Sequence, residues 1–167
     1  MKKLFVLIMI LSFITSFLLA NSLELGSPAP QLKVLTDEGI TLDLGEALSA
    51  GTTLVFFYPK AMTPGCIKQA CSLRDGWDKL QSRNVSIFGV SSDSAKTQAQ
   101  FRDKYTLPFT LLADTDGKIA DAFSKSRWSR QAYIFKDGIL VWRDLKAATS
   151  EQATEILVAL DELGPDS

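Results

Sequence analysis

From Thr52 to Tyr58 the chain reads Thr-Thr-Leu-Val-Phe-Phe-Tyr, apolar on both alternating sets of side chains. A strand with one wet face alternates apolar and polar residues, so a continuous run of this length needs cover on both faces. It belongs in the centre of a sheet. Strand signals also occupy Gln31 to Thr36 and Ile40 to Leu44 around the Asp37-Glu38-Gly39 turn, then Val85 to Ser91 and Gln131 to Phe135. Lys136-Asp137-Gly138 turns the last of these back into Ile139 to Arg143.

Helical patterns fall between the strands: about Pro64 to Ser82, Ser94 to Tyr105, Lys118 to Phe123 and Ser150 to Leu163. Ser94 and Ser150 are N-cap candidates, and Ile156, Leu157, Leu160 and Leu163 line one apolar face. This alternation predicts an α/β fold: a central mixed β-sheet flanked by helices and finished by a hairpin and a helix.

The 167 residues are 46% hydrophobic and 22% charged, enough for one domain with a sizeable core. No linker or low-complexity stretch divides Leu23 to Leu163. A net charge of −1, with both signs interspersed, leaves no footprint for nucleic acid. Histidine is absent, which excludes Ser-His-Asp and Cys-His catalysis and every histidine metal site. Two cysteines alone make a poor zinc set, so no metal is expected; thiol chemistry at these cysteines would need no other cofactor.

Residues 1–20 are a separate object: Lys2-Lys3, an apolar run from Leu4 to Ala20, and a small residue before Asn21-Ser22. They read as a signal peptide, with residues 21–167 as the domain and the bacterial periplasm as its destination. An uncleaved membrane anchor over residues 4–20 is the alternative. In an exported compartment disulfides form and persist.

Both cysteines follow the central strand, in Pro59-Lys60-Ala61-Met62-Thr63-Pro64-Gly65-Cys66 and then Ala70-Cys71. Thr63 reads as an N-cap and Pro64 as the first helical residue, placing Cys66 in the first turn. A thiol there sits among unpaired backbone N–H groups at the positive end of the helix dipole, which favours its thiolate. Gly65 leaves the sulfur approachable, while Pro59 and the aromatic strand end wall off water. Without histidine, the activating cation must be lysine or arginine, and arginine's fork suits both a thiolate and an incoming oxygen. Arg130, just ahead of a strand, is the first candidate and Arg127 the second.

On an intact helix, Cys66 and Cys71 have Cα atoms roughly 8.7 Å apart, beyond the ~7 Å at which a disulfide closes. Joining them requires the first turns to unwind. A permanent structural disulfide stays open if the segment is a loop, as does a pair of inert buried thiols.

These residues resemble the signature Pro-x3-Thr-x2-Cys of peroxiredoxins, and most of all the Q type, the bacterioferritin comigratory protein class. Further similarity runs through Phe88 to Ser94, Phe101 to Phe109 and Asp114 to Gly117. The resemblance implies a thioredoxin-like fold and a thiol peroxidase that reduces hydrogen peroxide and organic hydroperoxides. It makes Cys66 the peroxidatic and Cys71 the resolving cysteine, joined in a disulfide during turnover. Pro59 becomes the shielding proline, Thr63 the hydrogen-bonding threonine and Arg130 the arginine reaching back to the loop. It also implies a monomer recycled by a thioredoxin-like dithiol. Ile67 and Gln69 depart from the family's usual Thr and Glu, and Gln69 removes a carboxylate from beside the thiolate.

Two rivals come from other classes: a noncatalytic thioredoxin-like binding domain with a structural disulfide, and a thiol-disulfide oxidoreductase. The latter is expected to carry C-x-x-C, and this chain has C-x4-C. Trp77 and Trp128 read as packing residues, although Trp128 also lies near Arg130 in sequence; Asp114-Thr115-Asp116-Gly117 reads as a turn, and Arg74-Asp75 as a surface pair.

Overall fold

A computed structural model describes residues 23–126 and 128–164. The expected signal peptide and Arg127 lie outside the described residues.

Among the described residues the strands are β1 (Lys33–Thr36), β2 (Thr41–Asp43), β3 (Thr52–Phe57), β4 (Val85–Ser91), β5 (Thr110–Ala113), β6 (Gln131–Lys136) and β7 (Ile139–Asp144). They form one sheet in the order β2-β1-β5-β4-β3-β6-β7, with β3, β4 and β5 parallel and the remaining pairs antiparallel. The helices are α1 (Leu44–Ser49), α2 (Pro64–Asp75), α3 (Trp77–Gln81), α4 (Ala95–Tyr105), α5 (Lys118–Ala122) and α6 (Gln152–Leu163).

The apolar run over β3 does what its composition requires. Leu54, Phe56 and Tyr58 enter one core with Ala70, Leu73, Phe101 and Ile156, while Val55 and Phe57 enter a second with Leu44, Leu48, Ile119 and Phe123. Side chains alternate across a strand, so two cores on opposite faces follow from consecutive apolar residues.

Four elements differ from the sequence expectation. The strand expected to reach Leu44 stops at Asp43, whose carboxylate accepts from Glu46 N at 3.1 Å and starts α1. β5 has only 4 residues, too few for a periodic signal, and is defined by its neighbours β4 and β1. The long helix expected from Pro64 to Ser82 is two helices broken at Gly76, where an added Cβ would lie 2.6 Å from Ala153 Cβ on α6. Close packing of α6 leaves no room for a side chain at the break. The cap expected at Ser150 is not used either: Glu151 holds that position, and Ala153 N donates to Ser72 Oγ of α2 at 3.1 Å.

Candidate active site

Antiparallel pairing of β3 with β6 sets Phe57 opposite Gln131, and parallel pairing with β4 sets it beside Val90. The chain therefore leaves β3 at the point where it enters β6, so Arg130 arrives next to the Tyr58–Thr63 loop despite a separation of more than sixty residues. Met62 adopts a left-handed φ of 63° and reverses the loop into α2. Thr63 has the extended backbone of an N-cap (φ −85°, ψ 150°), but its side chain makes no capping bond. Its hydroxyl donates instead to Lys60 O at 2.9 Å, closing the turn.

Cys66 lies in the first turn of α2 and is 1% exposed. Arg130 Nη2 donates to its sulfur at 3.6 Å, and Arg130 Nη1 donates to Gln69 Oε1. The guanidinium runs over Gly65, where an added Cβ would lie 3.2 Å from Nη2. A side chain there would press on the arginine as well as on the approach to the sulfur. Gln69 is fully buried and donates from Nε2 to Gln152 Oε1 of α6 at 2.7 Å.

A second polar group holds the other side of the loop. Ala61 N donates to Asp93 Oδ2 at 2.7 Å, and Ser91 Oγ donates to the same oxygen at 2.7 Å. Gln98 Nε2 donates to Ser91 Oγ at 2.9 Å and to Leu112 O at 3.0 Å, while Tyr58 OH donates to Gln98 Oε1. Burial pushes the Tyr58 phenol well above its ordinary range, and the charge of Asp93 and the Cys66 sulfur add to this against the hydrogen bonds of Ser91 and Gln98. Tyr58 stays a proton donor, fixing the loop where it leaves the sheet.

Cys71, near the far end of α2, is half-buried, and both thiols are free with the helix continuous between them. Pro59 is half-buried beside the loop. Trp128, expected to pack, is instead 66% exposed. Trp77 packs at the core edge with Phe109, their ring centroids 6.1 Å apart. Asp114 accepts from Ile119 N at 2.8 Å and Ala120 N at 2.9 Å, so the Asp114–Gly117 turn anchors α5. Gln98 and Gln152 carry no sequence signal that distinguishes them from surface glutamines; their roles come only from burial.

Residues 25–143 match the AhpC/TSA family. Peroxiredoxin Bcp of Escherichia coli (strain K12) is 38% identical over 121 residues, 71% of this chain and 76% of that protein. Peroxiredoxin Bcp of Bacillus subtilis (strain 168) is 33% identical over 156 residues, 85% of this chain and 98% of its own. Among solved structures, peroxidoxin BcpB from Mycobacterium tuberculosis superposes with a TM-score of 0.78 at 26% identity, over 84% of this chain and 98% of that one. Peroxiredoxin Q of Xanthomonas campestris gives 0.76 at 26% identity, over 84% and 96%. The chain belongs to the AhpC/TSA family, with the thioredoxin-like fold of the peroxiredoxins. It is a thiol-dependent peroxidase with cysteine-based redox chemistry, an oxidoreductase using a peroxide and a thioredoxin-type reductant.

Proposed function

We propose that Cys66 is the attacking thiol and Cys71 the resolving one, in an antioxidant cycle that reduces hydrogen peroxide and organic hydroperoxides. One observation carries this reading: Arg130 Nη2 lies 3.6 Å from Cys66 Sγ at the buried start of α2. The Cys66 thiolate attacks one peroxide oxygen, an S–O bond forms as the O–O bond breaks, and the leaving oxygen takes up a proton as water or alcohol. Arg130 and the first N–H groups of α2 stabilise the charge passing to that oxygen, joined by the Thr63 hydroxyl once it releases Lys60 O, and Pro59 shields the site from water. Cys66 is oxidised to a sulfenic acid.

The second step needs α2 to open. Its helical geometry holds the two Cα atoms roughly 8.7 Å apart, too far for a disulfide. Once the first turns unwind, the Cys71 sulfur displaces hydroxide from the sulfenic acid, giving a Cys66–Cys71 disulfide and water. A thioredoxin-like dithiol reduces that bond by exchange. Both sulfurs lie on one helix of one chain, which supports turnover by a monomer.

The first twenty residues support export to the periplasm by a cleaved signal. Mass spectrometry of the native protein, before and after one equivalent of peroxide, tests both proposals. The expected mature chain begins at Asn21 and loses two hydrogens on oxidation. Cys71→Ser should instead gain one oxygen at Cys66, and Cys66→Ser should gain nothing and consume no peroxide. Peroxide consumption by Cys66→Ser at the parent rate would falsify the assignment.

A further inference from the structure

Arginine offers only donors, so the amide it meets must turn its oxygen toward it. Gln69 does so, which commits its Nε2 to the opposite side, inside a fully buried site. A buried amide N–H without an acceptor is costly, and the acceptor is Gln152 Oε1 at 2.7 Å. Gln152 is itself fully buried and meets the same constraint. Its Nε2 donates to Glu155 Oε2 at 3.5 Å, an oxygen that also accepts from Ala148 N at 3.3 Å.

Arg130 therefore donates to Gln69, Gln69 to Gln152 and Gln152 to Glu155, every donor pointing the same way. The chain begins at a cation and ends at an anion, so each bond polarises the next. Its other consequence concerns charge. The counter-anion of Arg130 lies two neutral amides away, on α6, and the guanidinium meets the Cys66 sulfur with no carboxylate of the described residues directly on it.

We infer that Gln152 is a positioning residue of the peroxidase: it fixes the amide orientation of Gln69, which aims Arg130 at the Cys66 sulfur. The inference rests on the reading of Cys66 as the attacking thiol. It assigns to the C-terminal helix, whose hydrogen bond goes to Gln69 and not to the sulfur, control over how the sulfur is held.

The test uses the full chain with Cys71→Ser, so that a single thiol titrates. Two quantities are read: the rate of Cys66 oxidation by hydrogen peroxide and the pH dependence of thiolate absorbance near 240 nm. Gln152→Leu should slow oxidation about tenfold, the order expected for losing a buried hydrogen bond, and move the absorbance titration to higher pH. Gln69→Leu should do the same, and the double variant should be no slower than the slower single one, because both act on one path. Unchanged rate and titration in Gln152→Leu, or losses that multiply in the double variant, overturn the inference. Glu155→Gln leaves the packing of α6 in place and reads the far end of the relay if Gln152→Leu does not fold. A shift of the same sign, about two- to threefold, supports the relay, and none removes it. Peroxide consumption by Cys66→Ser would instead sink the underlying reading, whatever Gln152 does.

Discussion

The two ends of α2 carry the same pair of residue types in different electrical settings. Cys66 has Arg130 within 3.6 Å, and that arginine's other nitrogen rests on the neutral amide of Gln69. Cys71 has Arg74 nearby, but Arg74 is bound to Asp75 at 2.8 Å. The Arg74 guanidinium is raised above its ordinary range chiefly by its hydrogen bond to Asp75, with the Cys71 sulfur a smaller contributor. One arginine keeps its charge available to sulfur, and the other spends it on a carboxylate. Burial sharpens the contrast, since Cys66 is 1% exposed while Cys71 is half-buried. An attacking thiol benefits from an uncompensated cation in a dry site. A resolving thiol needs mobility more.

Breaking the first setting should have the largest effect. Arg130→Met removes both the cation and its fork while keeping the stem, and peroxide reduction should fall on the order of 10²-fold in single-turnover kinetics. Retention of the parent rate would leave the helix start alone as the source of activation. Next comes the anchor on the other side of the loop. Asp93→Ala strips the acceptor from Ala61 N and Ser91 Oγ and should cost about 1–3 kcal/mol of stability in denaturant titrations.

A third cation extends the comparison to the opposite face of the sheet. Lys125 Nζ sits 4.5 Å from the centroid of Phe57, and burial lowers its pKa from 10.5 to about 8 despite the charge of Asp114. Between those values the unfolded chain still holds the proton that the folded chain has released, so stability should rise with pH from about 8 toward 10. Its partial exposure limits the gain to about 1–2 kcal/mol, and Lys125→Met should abolish that slope in urea titrations. The smallest effect belongs to the compensated end of α2. Asp75→Asn should leave Cys66 oxidation unchanged and speed disulfide closure no more than about threefold, because the pair is partly exposed.

How much of this was legible differs from element to element. The central strand, the Thr63-Pro64-Gly65 helix start and the Lys136–Gly138 hairpin were readable because each depends on neighbours in sequence. α1 was missed although Asp43 and Glu46 form its start, because the short apolar stretch before it already read as strand. The packing at Gly76 was invisible, since the atom that excludes a side chain there is Ala153 Cβ, on a helix far along the chain. Arg130 was legible as a strand-end cation, but its 3.6 Å approach to sulfur follows from the register of Phe57 against Gln131. Gln69 read only as the loss of a carboxylate. Burial against Gln152 is what gives its amide a direction.

Local chemistry, then, was enough to place a candidate nucleophile at a helix start, to rule out histidine as its activator and to require a sheet covered on both faces. Propensity, capping and periodicity act over a few residues, and those properties need no more. Which arginine meets the sulfur, which amide turns it and which helix holds that amide depend on contacts between residues tens of positions apart. Only the packed sheet and its docked C-terminal helix bring those groups within hydrogen-bonding distance.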